Sequence, residues 1–226
     1  LVLSILAATE TITSSRQKEL GVAVVDLGSA TTSYVVFEEG DLLTTGIIPS
    51  GSDHITSDIA IGFRIQVAAA EEIKLRHAQI VNGERSSRRE SIQLGDFVAG
   101  ETAMFLVRDL GDIVAARLTD IFELATKALR KIGRVGLLPG GVVLAGGVAS
   151  IPGIQDLARR ELKLPVEIAK AIALDAIEDV VPARLAIPLG LILWQSQHYG
   201  DLSHRRHRWW GTFLRVLRRM LGAFVP

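Results

Sequence analysis

Two glycine-containing turns and one charged pair have the residue types needed to bind a phosphorylated ligand. In the first turn, an acid at the end of an apolar run precedes small residues and threonines, Asp26-Leu27-Gly28-Ser29-Ala30-Thr31-Thr32. Small residues let backbone N–H groups and hydroxyls approach phosphate oxygens, and the acid can hold Mg²⁺ directly or through water. The same residues also suit a tight β-hairpin whose aspartate caps the turn, and their pattern alone leaves both interpretations open.

The second turn is Leu144-Ala145-Gly146-Gly147-Val148-Ala149-Ser150, between a predicted strand and a predicted helix. Paired glycines there permit a ligand to approach the backbone at a helix N-terminus, although a compact turn needs the same residues. The charged pair is Glu71 and Lys74, which lie three residues apart and therefore on one helix face. They can grip a ribose and an adenine between them, or they can form a solvated salt bridge of little energetic worth.

The segments around these residues alternate between strand and helix patterns, which predicts an α/β domain. A β-branched run at 21–27 predicts a buried strand, and 31–51 predicts two more strands around a turn at Gly40 and Asp41. Ser52 or Asp53 is expected to cap the helix that follows. Further helices are predicted at 68–78, 105–133, 151–162 and 182–197, and Gly133 is expected to end the longest of them. Further strands are predicted at 141–147 and 164–170. Weak strand signals are present at 78–81 and 91–94.

The composition favours a globular domain. The chain has 226 residues, of which 48% are hydrophobic, and it contains no cysteine. Disulfides and thiolate metal sites are therefore excluded, and a reducing cytoplasm fits. The first residues, LVLSILAA, are apolar but too short to span a membrane and have no basic leader.

The last 22 residues form a basic amphipathic pattern, RRHRWWGTFLRVLRRMLGAFVP. The segment after residue 203 holds six arginines and no acid, whereas residues 1–203 carry 19 basic and 25 acidic side chains. At 100° per residue, apolar and charged side chains fall on opposite faces, which is typical of a helix at a lipid interface rather than a core-docking or nucleic-acid-binding helix. The expected membrane-contacting residues are Trp209, Trp210, Phe213, Leu214, Leu217, Leu221 and Phe224, with Arg208, Arg215, Arg218 and Arg219.

The order and spacing of the three ligand-binding segments resemble the actin, Hsp70 and sugar-kinase superfamily. Longer stretches resemble the FtsA family of bacterial cell-division proteins over essentially the whole chain. They are GVAVVDLGSATTSYVVFEEG, IPSGSDHITSDIAIGF, AAAEEIKL, DIVAARLTDIFEL and LLPGGVVLAGGVASIPGIQDLARREL. The parts around DHITSDIA and ARLTDIFEL are specific, since actins in general do not share them.

The resemblance implies the second half of an actin-like (ribonuclease H-like) ATPase domain, comprising subdomains 2A and 2B, followed by an amphipathic helix. Residues 1–197 would form actin-like domain 2 with 2B inserted at about 65–134, 198–204 a linker, and 205–226 the membrane-targeting helix. A first phosphate loop and a 1C subdomain are expected to precede residue 1. The nucleotide contacts implied are Asp26, Gly28, Ser29, Ala30, Thr31, Thr32, Glu71, Lys74, Gly146, Gly147 and Ser150, with Asp26 holding Mg²⁺ indirectly.

Within that family the second phosphate loop is usually glycine-rich and closes on an aspartate. Here Ser29 and Ala30 stand where glycines are usual, and Ser33 stands in the aspartate position. The resemblance therefore implies binding of ATP and Mg²⁺ that is weak or absent in this fragment, with at most weak hydrolysis and no catalytic residue.

The function implied is a cell-division adaptor that tethers the FtsZ ring to the cytoplasmic face of the bacterial inner membrane at the septum. Its partners would be the FtsZ C-terminal peptide, further copies of itself, anionic lipids and other division proteins, but not nucleic acid. Arg88, Arg89, Arg117 and Lys127 can meet an acidic peptide, although solvated helix faces carry the same residues. The Gly-Ser-Ala-Thr-Thr-Ser run also resembles PilM, a type IV pilus assembly protein. A sugar kinase or Hsp70-type ATPase is a further alternative, but we find no acid–base constellation for it.

Overall fold

The computed structural model describes residues 2–80, 90–170 and 183–198. The strands in this part of the chain are β1 (Val22–Leu27), β2 (Thr32–Glu38), β3 (Asp41–Ile48), β4 (Ser91–Gln93), β5 (Met104–Leu106), β6 (Val142–Ala145) and β7 (Val166–Ile168). The helices are α1 (Ser4–Ile12), α2 (Ser15–Leu20), α3 (Ser52–Phe63), α4 (Val67–His77), α5 (Val107–Lys131), α6 (Ile154–Leu162) and α7 (Ala186–His198).

Five of the strands form one mixed sheet in the order β3-β2-β1-β6-β7. β1, β2 and β3 are an antiparallel meander, whereas β6 and β7 run parallel to β1. The connection from β3 to β6 crosses one face through α3, α4 and α5. Because β1 and β6 are parallel neighbours, the loops that follow them emerge at the same edge of the sheet.

Both faces of the sheet are buried at its central strands, which explains why β1 and β6 are continuous apolar runs rather than alternating ones. Successive side chains of a strand point to opposite faces, so Val22 and Val24 pack on one side, and Ala23 and Val25 on the other. The first side is covered by α1 and α7, and the second by α3, α5 and α6. The buried stripe of α5 has the spacing of one helix face and comprises Leu110, Val114, Leu118, Ile121, Phe122, Ala125 and Leu129.

A small two-stranded sheet of β4 and β5 lies apart from the main sheet, within the range 65–134 predicted for the inserted subdomain. Phe105 of β5 stacks on Phe63 at the end of α3, with ring centroids 4.1 Å apart and planes inclined by 9°. Arg117 of α5 joins the same region to α3 through two hydrogen bonds to Asp58, at 2.6 and 2.8 Å. These contacts tie the small sheet and α5 to α3. The subdomain boundary itself stays a prediction.

Most of the predicted elements are confirmed. Gly133, whose φ is +69°, terminates α5 as expected. Arg134 N–H donates to the Leu129 carbonyl, and Gly133 N–H donates to the Arg130 carbonyl. These are the two hydrogen bonds of a Schellman motif.

Three local predictions are wrong. The hairpin turn is Glu39–Gly40, both with positive φ, rather than Gly40 and Asp41. The long helix begins at Val107 rather than at Phe105, because Phe105 belongs to β5. Residues 78–80 do not form a strand.

The N-terminal helices α1 and α2 have no counterpart in the predicted elements. α2 begins at a capping box in which Ser14 and Gln17 bond reciprocally. None of the helices in the described ranges combines the length and hydropathy needed to cross a membrane. The predicted linker and membrane-targeting helix lie outside the described residues from 199 onward.

α1 and α7 cross at very short range because α7 has glycine at the contact. A Cβ at Gly190 would lie 2.0 Å from the Ala7 carbonyl oxygen. We predict that Gly190→Ala lowers the free energy of unfolding by about 2 kcal/mol, since the cost of overpacking exceeds the gain of about 1 kcal/mol in helix propensity. Urea unfolding checks this, with Gly147→Ala as control because no atom lies within 4 Å of a Cβ there. Equal stability of the two variants would contradict the prediction.

Candidate functional site

The two glycine-containing turns predicted to bind phosphate lie side by side. Asp26, near the end of β1, is aligned with Ala145 at the end of β6. Gly146 follows with φ +88° and ψ 173°, a conformation essentially confined to glycine. A Cβ at Gly146 would lie 2.3 Å from the Leu27 carbonyl oxygen and 2.9 Å from Asp26 Oδ1. Only glycine therefore lets the second turn lie directly against the first.

The first turn is a tight loop. Gly28 N–H donates to the Thr31 carbonyl at 3.0 Å, and the exposed side chains are those of Ser29, Ala30 and Thr31. The Thr32 side chain is buried, and its hydroxyl donates to the Ser50 carbonyl at 2.8 Å. Thr32 therefore stabilises the loop from behind, while the other residues present backbone and small side chains to solvent.

The N-terminus of α3 binds the carbonyl side of this loop. Ser52 N–H donates to Gly28 at 3.0 Å, and Asp53 N–H donates to Ser29 at 2.9 Å. A Cβ at Gly51 would lie 2.4 Å from the Ser29 oxygen, so this contact requires glycine. The prediction that Ser52 or Asp53 caps α3 is wrong: Gly51 is the N-cap, and its N–H donates to His54 Nδ1 at 3.2 Å.

Lys74 is buried, with 6% of its side chain exposed. Its ammonium lies 2.5 Å from Ser52 Oγ, 2.8 Å from Thr56 Oγ1 and 2.7 Å from Glu71 Oε2. The interpretation of Glu71 and Lys74 as a solvated surface pair is wrong, since the pair joins α4 to the first turn of α3. Their role as nucleotide contacts stays a prediction.

Glu71 is the partly exposed end of this network. Burial alone would raise the pKa of Glu71, but hydrogen bonds from Lys74 and Thr56 and the Lys74 charge outweigh it, so the pKa lies below its ordinary value of 4.5. A carboxyl whose pKa is lowered by folding stabilises the fold above its unfolded-state pKa, and this contribution is lost as the pH falls. The network is therefore intact at neutral pH and weakens in acid.

Gly147 and Ser150 do not lead directly into a long helix, contrary to the predicted helix at 151–162. They form a single 3₁₀ turn, Gly147–Ser150, and α6 begins only at Ile154. Ser150 is exposed, and its hydroxyl donates to the Gly147 carbonyl at 2.6 Å. Nothing lies within 4 Å of a Cβ at Gly147, so the backbone is open on the side where a side chain would stand.

The residues at this edge fit a nucleotide with a cation. Burial raises the pKa of the Asp26 carboxyl above its ordinary value of 3.8, because it disfavours the charged form. A cation held there, directly or through water, would offset that cost. Ser50 Oγ is also buried behind the loop, with no hydrogen-bond partner among the described residues. The backbone at Gly147 is uncovered where a side chain would stand, as a close approach by a ligand requires.

The residues predicted to contact an acidic peptide differ in whether their side chains are already engaged within the protein. Arg117 is engaged by Asp58, and hydrogen bonding to that carboxylate, with its charge and that of Asp120, raises the Arg117 pKa despite partial burial. Lys127 is exposed on α5. Arg88 and Arg89 lie outside the described residues, as do all the predicted membrane contacts from Arg208 to Phe224.

Sequence reasoning did not identify Gly51 or Thr56 as part of the site. Gly51 carries no side-chain chemistry, and Thr56 is a common residue within a helix. One signal was available: Ser52 and Thr56 are four apart and so share a helix face. Their partner, however, is on another helix and is fixed only by tertiary packing.

The partly buried charge of Asp26 should cost stability in the absence of a ligand. We predict that Asp26→Asn raises the melting temperature at pH 7.5. The gain should shrink towards pH 4, because the folded-state pKa is raised and the penalty exists only where the carboxyl is ionised. Thermal melts across this range check it, with the exposed Asp112→Asn as control. A loss of stability in Asp26→Asn at pH 7.5 would show instead that the carboxylate makes favourable contacts.

Comparison with known proteins identifies the family. The family model described as "Cell division protein FtsA" matches residues 23–186. The chain is 31% identical over 205 residues to the cell division protein FtsA of Pseudomonas aeruginosa, covering 89% of this chain and 48% of that protein. It is 36% identical over 166 residues to the FtsA of Bacillus subtilis, covering 73% of this chain and 37% of that protein. The chain thus spans about half or less of the length of these relatives.

Solved structures show the same fold at lower identity. MreB5 of Spiroplasma citri bound to ADP matches with a TM-score of 0.66 and 19% identity, covering 89% of this chain and 60% of that one. A PilM–PilN type IV pilus biogenesis complex matches with a TM-score of 0.63 and 18% identity, covering 86% and 52%. These likenesses establish an actin-like α/β fold, and PilM shares that fold alone. On the extent of the sequence match, the chain belongs to the FtsA family of cell-division proteins.

Proposed function

We propose that this chain is the nucleotide-binding and membrane-attaching half of a cell-division adaptor rather than a metabolic enzyme. The observation that supports nucleotide binding is the close approach of Gly146 to Asp26 and Leu27. It brings together two glycine-containing loops that are about 120 residues apart in sequence. The chain contributes one wall of the site, and its isolated affinity for ATP and Mg²⁺ is expected to be weak.

In this proposal each residue has a limited task. The Gly28–Thr31 loop presents backbone N–H groups and small side chains to phosphate, as a nest of amides does for anions. Asp26 orients a cation, which when bound would neutralise phosphate charge. Gly146, Gly147 and Ser150 leave the backbone open towards the nucleoside, and Glu71 offers an acceptor to its hydroxyls. Ser33 in place of the usual aspartate argues for slow hydrolysis or none.

Attachment to the membrane is assigned to the sequence from 205 onward. Its apolar face would bury in the headgroup region, and each arginine near an anionic surface would contribute about 1 kcal/mol. An acidic body, with net charge −6 over residues 1–203, would turn away from the same surface. This arrangement would place the body at the cytoplasmic face of the inner membrane, at the division septum.

The membrane assignment is tested by matched substitutions without charge change. We predict that Trp210→Gln with Phe213→Gln reduces binding to anionic vesicles at least tenfold, because each substitution removes a large apolar side chain from the interface. Thr212→Gln, on the opposite face, should have little effect. Co-sedimentation with vesicles of a phosphatidylglycerol mixture measures both. Equal binding by the two variants would exclude an amphipathic lipid contact.

Recruitment of the division tubulin homologue FtsZ is assigned to the surface around α5. We predict that Lys127→Glu weakens binding of the acidic FtsZ C-terminal peptide about fivefold, because it replaces an attraction with a repulsion. Arg16→Glu makes the same charge change on α2 and should leave the affinity unchanged. Fluorescence anisotropy with a labelled peptide measures both. An equal effect of the two variants would show that only net charge matters and would remove α5 as the docking surface.

A further inference from the structure

The ammonium of Lys74 has no hydrogen left for a ligand. An ammonium has three N–H donors, and Lys74 has three short acceptor contacts, to Ser52 Oγ, Glu71 Oε2 and Thr56 Oγ1. A fourth oxygen, the Ser52 carbonyl, lies at 3.4 Å. With 6% of the side chain exposed, Lys74 is satisfied within the fold. A nucleotide contact would require it to give up one of these bonds.

The partners of Lys74 also hold the phosphate loop. Ser52 accepts from Lys74 through its side chain and donates its backbone N–H to the Gly28 carbonyl at 3.0 Å. The next amide, of Asp53, donates to the Ser29 carbonyl at 2.9 Å. A single helical turn therefore connects the buried ammonium on α4 to the two carbonyls that shape the loop.

The other end of the network reaches solvent. The Glu71 side chain is 43% exposed, and its contacts with Lys74 and Thr56 both use Oε2. The second carboxylate oxygen can therefore accept a hydrogen bond from a ligand hydroxyl without breaking these contacts. A ligand that binds Glu71 would therefore use the other oxygen of the carboxylate that positions Lys74.

We infer that Lys74 is a positioning residue for the Gly28–Thr31 loop: it holds the first turn of α3 and so couples Glu71 to the loop, and it does not itself contact a nucleotide. The inference rests on the proposed function only in taking phosphate as the ligand of the loop. Packing alone does not explain the residue, because an apolar side chain of similar volume avoids the cost of burying a charge. The four-group network instead fixes where α3 begins.

The first test needs no nucleotide. In the whole chain, Lys74→Met should speed hydrogen–deuterium exchange about fivefold in peptides covering 28–33 and 50–56, because the Ser52 and Asp53 amides lose their fixed position. Arg76→Met on the same helix loses only an exposed ion pair to Glu72 and should leave both peptides unchanged. Unchanged exchange in folded Lys74→Met would overturn the inference. If that variant does not fold, the same exchange measurement on Ser52→Ala tests the inference, since this substitution removes the hydroxyl that accepts from Lys74 but keeps the backbone amide that donates to Gly28.

The second test separates positioning from a contact with the nucleoside. ATP and inorganic tripolyphosphate are titrated into the wild-type chain and Lys74→Met, and binding is followed by ligand-detected NMR. A positioning role predicts that both ligands weaken by the same factor, because both need the ordered loop. Weakening of ATP alone, with tripolyphosphate unaffected, would mean that Lys74 contacts the nucleoside and would overturn the inference.

Failure of the proposed function has a different signature. If the wild-type chain binds neither ATP nor tripolyphosphate, the nucleotide assignment fails for this chain. The exchange experiment still decides whether Lys74 positions the loop. The two ideas are therefore tested by separate measurements on the same variants.

Discussion

The parallel pairing of β1 with β6 is the constraint on which the site depends. Residues 22–27 and 142–145 are far apart in sequence, yet Asp26 and Ala145 are aligned neighbours in the sheet. The pairing is possible because both strands are apolar on both faces, with α1 and α7 on one side and α3, α5 and α6 on the other. Once the strands are paired, the loops that follow β1 and β6 lie side by side. Gly146 allows them to approach closely, because a side chain there would collide with Leu27.

Individual elements could be predicted from sequence where the signal is local. The β-branched run of β1, the helical period of α5 and the glycine that ends it all depend on residues within a few positions of one another. The start of α5 could not be predicted, because Phe105 pairs with Ile92 in the small sheet and stacks on the ring of Phe63, and both partners are distant in sequence. The prediction of the α3 N-cap failed for a similar reason: position 51 requires glycine because a Cβ there would collide with the carbonyl oxygens of Gly28 and Ser29, which are distant in sequence.

In the candidate site, too, local features could be predicted from sequence, whereas contacts between distant segments could not. Small residues after Asp26 and paired glycines after β6 indicated where backbone is accessible. They did not indicate that Thr32 turns inwards to Ser50, or that Lys74 is buried. A charged pair three residues apart on a helix has the same sequence pattern on a surface and in a tertiary contact. Only the position of α3 distinguishes the two.

The two carboxylates at the site, Asp26 and Glu71, have pKa values shifted in opposite directions. Asp26 is partly buried, and burial raises its pKa, so its ionised form destabilises the fold. Glu71 is paired with Lys74, and its pKa is lowered, so the ionised form stabilises the fold. A carboxylate that is costly without a cation is suited to binding one, whereas a carboxylate that is satisfied within the protein is suited to holding a scaffold. The same edge of the sheet thus contains a carboxylate that a bound cation would stabilise and a network that holds the adjoining loop in place.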